Sequence, residues 1–229
     1  PVPADFSSAA FSVVAASIAG AAGLTLRNVG VNPTRTGLLD MLVAMGADIR
    51  LQRHDDGAPE PVADIEIRPA ALRGIRVPDA LVPLAIDEFP VFFIAAACAE
   101  GETLVRGAEE LRVKESDRLA VMAEGLAACG VAVAIEGDDL IVEGSEWPAG
   151  GALIDARLDH RIAMSFLVLG GLAVTFTPTA ALDPNSRYTL SVSGILDLAG
   201  NPARTTPISF PGADLACPRL LRSEERRVG

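Results

Sequence analysis

The 229-residue chain is half apolar, with 21 glycines, 16 prolines and 4% aromatic residues, which is the composition of a globular protein rather than a disordered one. Its formal net charge of −11 excludes non-specific nucleic-acid binding, which needs an excess of Lys and Arg along one face. No apolar run reaches the roughly 20 residues of a membrane helix, and no basic flank precedes the first apolar stretch, so neither a membrane span nor a signal peptide is predicted. These features favour a cytoplasmic enzyme.

An internal repeat organises the first three quarters of the chain. Asp5, Asp87 and Asp159 each precede a similar apolar stretch: AAFSVVAASIAG, FPVFFIAAACAEG and HRIAMSFLVLGG. After the first two stretches come a short strand, an amphipathic helix ending at Gly46 or Gly130, and two alternating strands. We therefore predict an α/β fold of repeated units, with the apolar helices at a common centre, the amphipathic helices around them and the strands outermost. The alternative is an ordinary α/β domain with coincidental similarity.

The third unit breaks off near residue 173. From residue 174, VTFTPTAALDPNSRYTLSVSGILDLAGNPARTTPISF alternates Thr, Ser and Val and has turn signals at DPNS and AGNP, which is typical of β-sandwich strands. This tail resembles the closing strands of a bacterial immunoglobulin-like surface domain, and the final LLRSEERRVG resembles a cloning or sequencing artefact. We therefore expect a chimeric chain with domains at 1–173 and 174–229. The tail should be a loosely attached β-hairpin, and the third side of the core should be under-covered.

A cluster of charges in RVKESDR (112–118) precedes a predicted amphipathic helix. Ser116 is predicted to cap a helix that begins at Asp117, which would place free helix N–H groups near Lys114 and Glu115. A helix N-terminus with Lys and Arg beside it is a natural site for a carboxylate or a phosphate. The alternative is that these charges form i,i+4 pairs on a solvated face, worth a few tenths of a kcal/mol each.

The segment DHR repeats this arrangement, because His160 and Arg161 follow the expected cap Asp159. Asp87 and Asp5 occupy equivalent positions before their own helices. Capping could therefore be the shared role of the three aspartates, with any chemistry added at Asp87 alone.

Metal and redox chemistry find little support in the sequence. His54 and His160 are its only histidines and no HExxH or CxxC spacing occurs, so no metal site is predicted. Cys98 and Cys129 lie in apolar helical runs, where we expect inert, buried thiols.

Five segments together resemble 5-enolpyruvylshikimate-3-phosphate (EPSP) synthase, especially its glyphosate-tolerant bacterial branch. They are DFSSAAF, NPTRTGLLDMLVAMGADI, IDEFPVFFIAAACAEG, LRVKESDRL and LDHRIAMSF. The similarity runs from residue 2 to about residue 173 and corresponds to most of the C-terminal half of that enzyme. The resemblance implies βαβαββ units around a pseudo-threefold axis, of which this chain would hold two and the start of a third.

The resemblance also implies an activity, the transfer of the enolpyruvyl group of phosphoenolpyruvate to the 5-hydroxyl of shikimate 3-phosphate with release of phosphate. It assigns Asp87 as the acceptor of the hydroxyl proton. Lys114 matches a lysine that contacts both substrates and serves in proton transfer. Glu115 matches the acid that moves a proton at the methylene carbon.

The resemblance implies that the remaining matched residues bind or adjoin an anion. Arg118 and Arg161 match arginines that hold the phosphoenolpyruvate anion, for which bidentate guanidinium groups are suited. His160 matches an adjacent, less essential neighbour. The resemblance implies small-molecule substrates, no cofactor, no metal and a monomeric complete enzyme.

The family's N-terminal half supplies a Lys-Ser…Arg phosphate loop, a further arginine and a Ser-Ala-Gln segment, and none of these occurs in this sequence. We therefore expect the chain alone to be inactive. The alternative enzyme is the related UDP-N-acetylglucosamine enolpyruvyl transferase, against which KESDRL and LDHRIAM argue. A surface or adhesion module is the alternative from another class, and only the tail supports it.

Overall fold

The computed structural model describes residues 2–19, 23–54, 60–145, 148–170, 187–190 and 208–211. The chain divides into two units, 1–173 and 174–229. In the described part of the chain, no helix combines the length and apolar character needed to cross a membrane.

The first repeat unit is a three-stranded antiparallel sheet with two helices. Its elements are α1 (Phe6–Ile18), β1 (Leu24–Gly30), α2 (Gly37–Ala44), β2 (Asp48–His54) and β3 (Val62–Arg68). The central strand β3 pairs with both β1 and β2. Ala4 forms a parallel bridge with Val29, so a short extended segment also runs beside β1 ahead of α1.

The second unit repeats this order. Its elements are α3 (Phe89–Ala97), β4 (Gly101–Val105), α4 (Arg118–Ala128), β5 (Ala132–Glu136) and β6 (Asp139–Gly144), with 3₁₀ turns at Asp79–Leu81 and Glu109–Val113. The sheet order is β4-β6-β5, and isolated parallel bridges join Arg73 to Glu100 and Arg76 to Leu104 ahead of α3. The predicted repeat of βαβαββ units is confirmed.

Three helices meet at the centre of residues 1–173, as the repeat predicts. All nine residues of α3 are buried, and its three phenylalanine rings pack with centroids 5.5–6.2 Å apart. Helix α3 contacts both α1 and the first helix of the third unit, α5 (His160–Gly170), and these two contact each other. The apolar surface is less completely covered on α5, where Leu167 is 71% exposed. The predicted break in the third unit, near residue 173, lies outside the described residues.

The tail is described at one antiparallel strand pair, β7 (Arg187–Leu190) with β8 (Ile208–Pro211). Two predictions for the tail, its resemblance to an immunoglobulin-like domain and its loose attachment, fall mainly on residues outside the described ranges.

Some of the helix ends predicted from the sequence agree with the structure. The Asp5 carboxylate accepts a hydrogen bond from the Ser8 amide at 2.8 Å and caps α1. Gly46 and Gly130 follow α2 and α4 with φ angles of 97° and 82°, the left-handed conformation that favours glycine.

One capping prediction, for Ser116, and one alternative, that Asp87 is a cap, are wrong. Helix α4 begins at Arg118, and Asp117 rather than Ser116 caps it through a 3.0 Å bond from the Ala120 amide. The carboxylate of Asp117 therefore occupies the helix end that was expected to bind an anion. Asp87 does not cap α3, because the N-cap position belongs to Glu88, whose side chain makes no capping bond.

Candidate active site

Three segments bring the predicted catalytic residues together around the carboxylate of Asp87, which lies just before α3. From the loop before α4, the Nζ atom of Lys114 lies 3.7 Å from Asp87 Oδ1. From the first residue of α4, Arg118 Nη1 lies 3.3 Å from the same oxygen. From the first turn of α5, Arg161 Nη2 lies 3.9 Å from Asp87 Oδ2. Asp87 therefore faces three cations contributed by two other segments of the chain.

The Arg118 guanidinium is enclosed by carboxylates and only 1% exposed. Its Nε donates to Asp159 Oδ2 at 2.8 Å, its Nη1 donates to Asp87, and its Nη2 donates to Glu115. A buried guanidinium must be paired in this way, because an unpaired charge away from water is very costly. In this conformation Arg118 holds the carboxylates of the site in place and is closed to an incoming anion.

Asp159 is the second buried member of this cluster, 1% exposed. Besides Arg118, its carboxylate accepts the Ser116 hydroxyl at 3.1 Å and the Arg161 amide at 2.9 Å. Burial acts to raise the pKa of Asp159, but the Arg118 bond and charge, together with the Arg161 amide and the Ser116 hydroxyl, hold it below its ordinary value. The cap expected from the sequence is therefore also a bridge between the second and third units.

Lys114 lies between two carboxylates. Its Nζ donates to Glu110 Oε1 at 2.7 Å and faces Asp87. The hydrogen bond to Glu110, followed by the charge of Asp87, raises the pKa of Lys114 against the opposing effects of burial and of Arg118. The amine is therefore protonated at neutral pH and suited to donate a proton or bind an anion.

Arg161 is anchored on one side of its guanidinium. Its Nη1 donates to the backbone carbonyl of Asp87 at 3.0 Å and lies 3.5 Å from Glu88 Oε1. Glu88 is 5% exposed and accepts the Ser7 hydroxyl at 2.6 Å, and burial raises the pKa of Glu88. Sequence reasoning missed Glu88, although an acid beside Asp87 at the start of an entirely apolar helix was a signal.

Of the six predicted site residues, the structure brings together Asp87, Lys114, Glu115, Arg118 and Arg161. His160 is exposed at the start of α5. It lies beside Arg161 in the sequence, as expected.

A cavity of about 380 Å³ adjoins the cluster. It is lined by Asp79, Val82, Pro83, Ile86, Arg106, Gly107, Glu109 and Glu110. Glu110 links this cavity to the cluster, because the same carboxylate holds Lys114. In the described part of the chain, no three His, Cys, Asp or Glu side chains are grouped so that they could hold a metal ion.

The sequence profile described as "EPSP synthase (3-phosphoshikimate 1-carboxyvinyltransferase)" matches residues 1–184. The chain belongs to the EPSP synthase family. The 3-phosphoshikimate 1-carboxyvinyltransferase of Halorhodospira halophila is 60% identical over 73% of this chain and 37% of its own length. The enzyme of that name from Alkalilimnicola ehrlichii is 52% identical over 87% of this chain and 44% of its own length.

Solved structures give the same family and fold. EPSP synthase from Acinetobacter baumannii superposes with a TM-score of 0.70 at 50% identity, covering 74% of this chain and 40% of that chain. The enolpyruvyl transferase NikO from Streptomyces tendae, 21% identical with a TM-score of 0.52 over 73% of this chain and 36% of its own, shares the fold. The chain thus spans about two fifths of the length of the EPSP synthase relatives it matches.

Proposed function

We propose that this chain forms one wall of the active site of a 3-phosphoshikimate 1-carboxyvinyltransferase. The reaction would join the enolpyruvyl group of phosphoenolpyruvate to the 5-hydroxyl of shikimate 3-phosphate and release phosphate. The observation that carries the proposal is the convergence of Lys114, Arg118 and Arg161 on Asp87, in a chain that belongs to the EPSP synthase family.

Asp87 is the proposed base. Its side chain is 36% exposed, so a substrate hydroxyl can reach it, while the surrounding cations fix the carboxylate. The carboxylate would take the proton of the 5-hydroxyl as that oxygen bonds to C2 of phosphoenolpyruvate. In the same addition, the methylene carbon would gain a proton, which we assign to Lys114 or Glu115. Loss of a proton from that carbon and of phosphate from C2 would then complete the transfer.

Arg161 and Lys114 are the proposed anion ligands of this wall, because both retain some exposure, 15% and 23% of their side chains. Arg118 would join them once a substrate anion displaces Asp87 or Glu115 from its guanidinium.

The cluster is rich in carboxylates for a site that receives anions. Its three cations lie among five acidic side chains, which are Asp87, Glu88, Glu110, Glu115 and Asp159. Two anionic substrates would therefore need further cations from the part of the enzyme that faces this wall. The proposed substrates are small molecules, and the chemistry assigned to these side chains uses no metal or cofactor.

The proposal is tested in a full-length enzyme in which residues 1–173 of this chain replace the matching part of the Halorhodospira halophila relative. Asp87→Asn should lower kcat far more than it raises either KM. Arg161→Ala should raise the KM for phosphoenolpyruvate by the equivalent of about 2–5 kcal/mol, the cost of truncating a desolvated charge pair. Phosphate release is followed in a coupled assay.

Glu124→Gln is the matched control, because Glu124 forms an exposed ion pair with Arg157 on the same domain. Its constants should equal those of the parent enzyme, and UDP-N-acetylglucosamine should not replace shikimate 3-phosphate as acceptor. Unchanged constants for both Asp87→Asn and Arg161→Ala would refute the assignment of the site.

A further inference from the structure

The loop that carries Lys114 and Glu115 is closed at its base. It comprises residues 113–116, from the last residue of the 3₁₀ turn, Val113, to the residue before the N-cap of α4. The residues on either side of it are joined, because Arg112 Nη1 donates to Asp117 Oδ2 at 3.2 Å. The 113–116 loop is thus a short bridge whose two ends are tied together.

The same arginine anchors the base of the loop to the strand hairpin of its unit. Arg112 Nε donates to Asp138 Oδ1 at 2.9 Å, and Nη2 donates to the backbone carbonyl of Gly137. Both acceptors lie in the turn between β5 and β6. Because a guanidinium is planar and presents its donors in fixed directions, three acceptors define the orientation of Arg112.

Asp117 uses both of its carboxylate oxygens in this connection. Oδ1 accepts the Ala120 amide at 3.0 Å and caps α4, while Oδ2 accepts the hydrogen bond from Arg112. The start of α4, the base of the loop and the β5–β6 turn are therefore joined. Apart from the Ser116 bond to Asp159, the other side-chain hydrogen bonds of the loop are those of Lys114 and Glu115, which the reaction needs to change.

We propose that Arg112 is a positioning residue, which holds the 113–116 loop through Asp117 and the β5–β6 turn so that the Lys114 amine faces Asp87. This inference takes only one point from the proposed function, which is that Lys114 carries a proton and binds an anion. The position of the amine can be measured without turnover, so the two proposals fail separately.

The sequence supplies a reporter for this test, because Lys114 is its only lysine. The whole 229-residue chain is treated with an N-hydroxysuccinimide ester across the alkaline range, and acylation of Lys114 is timed by peptide mass spectrometry. The charged groups that face this amine are Glu110, Asp87 and Arg118, and the first two raise the pKa of Lys114. Releasing the loop should lower that pKa towards its ordinary value and expose the amine, so acylation should accelerate.

Arg112→Gln removes the guanidinium, and Asp117→Asn weakens the ion pair while keeping a side chain that caps helices well. In both variants we expect Lys114 to react about threefold faster or more, since one pKa unit changes the free-amine fraction about tenfold. Glu110→Gln removes the partner of the amine directly and sets the scale of the effect. Arg50→Gln is the matched control, because it breaks an exposed ion pair between Arg50 and Asp48 on β2 and should leave the acylation rate of Lys114 unchanged.

A purely structural role predicts that Arg112→Gln lowers the thermal midpoint but leaves the reactivity of Lys114 at the parental value. The proposal is overturned if Arg112→Gln and Asp117→Asn both react at the parental rate while Glu110→Gln reacts faster. If circular dichroism shows that Arg112→Gln does not fold, Asp117→Asn and Asp138→Asn decide the question by the same criterion.

Discussion

Replacing Arg118 with methionine tests how much the enclosed cluster contributes to stability. The side chain is 1% exposed and binds Asp159, which is equally buried, at 2.8 Å. Methionine fills a similar length but leaves the Asp159 charge without its partner. Removing one member of a buried pair costs about 3–5 kcal/mol, so Arg118→Met should lower the free energy of unfolding by about that amount.

The pH dependence of this loss has a definite sign. The folded-state pKa of Asp159 lies below its ordinary value, because Arg118, the Arg161 amide and the Ser116 hydroxyl outweigh the effect of burial. The ionised carboxylate therefore stabilises the fold above about pH 4, and this contribution is lost as the pH falls through the folded-state value. The difference in free energy of unfolding between the parent chain and Arg118→Met should be largest near neutral pH and should become smaller in acid.

Urea unfolding followed by far-UV circular dichroism measures both quantities. Glu124→Gln is the control, because its exposed pair with Arg157 should contribute no more than about 1 kcal/mol. A loss for Arg118→Met as small as that of the control, or one that does not depend on pH, would show that the cluster is not a buried ion-pair network.

Three further outcomes are expected. Gly144→Ala should destabilise the fold by about 1–3 kcal/mol in urea unfolding, because overpacking costs that much and a Cβ there would lie 2.1 Å from the Ala96 carbonyl oxygen. Gly170→Ala should not, because among the described residues no atom would lie within 4 Å of its Cβ. Cys98 should react with iodoacetamide far more slowly in the folded chain than in urea at neutral pH, because burial raises the pKa of its thiol to about 12. The 229-residue chain alone should release no phosphate from the two substrates, and turnover comparable to that of its full-length relatives would contradict the division of the site between two walls.

The repeat and the common centre of apolar helices could be predicted from the sequence because periodicity records burial directly. In α3, nine consecutive residues that lack charge had to become a central helix, and all nine are buried. The glycines at 46 and 130 marked the ends of α2 and α4 because few other residues adopt a left-handed backbone.

The details of the site could not be read from the same patterns. A shift of one residue in the start of α4 decided whether Ser116 or Asp117 caps it, and local sequence does not fix such boundaries. The enclosure of Arg118 depends on Asp159, 41 residues away, and the role of Glu88 depends on Ser7, 81 residues away. Charge and spacing indicated an anion site near Lys114 and Arg161, and the family resemblance implied the role of Asp87. Tertiary contacts decided which of these side chains pair with each other.

The separation of these partners also has a kinetic consequence. The strand partners of the two sheets, such as Leu24 with Ile67 and Gly101 with Gly144, lie closer together in the sequence than two pairs of the cluster. The contacts of Asp87 with Arg161 and of Glu88 with Ser7 span 74 and 81 residues. Closing longer segments costs more chain entropy, so we expect these contacts to form after the transition state for folding. Substitutions in the cluster should accordingly accelerate unfolding while leaving the refolding rate nearly unchanged.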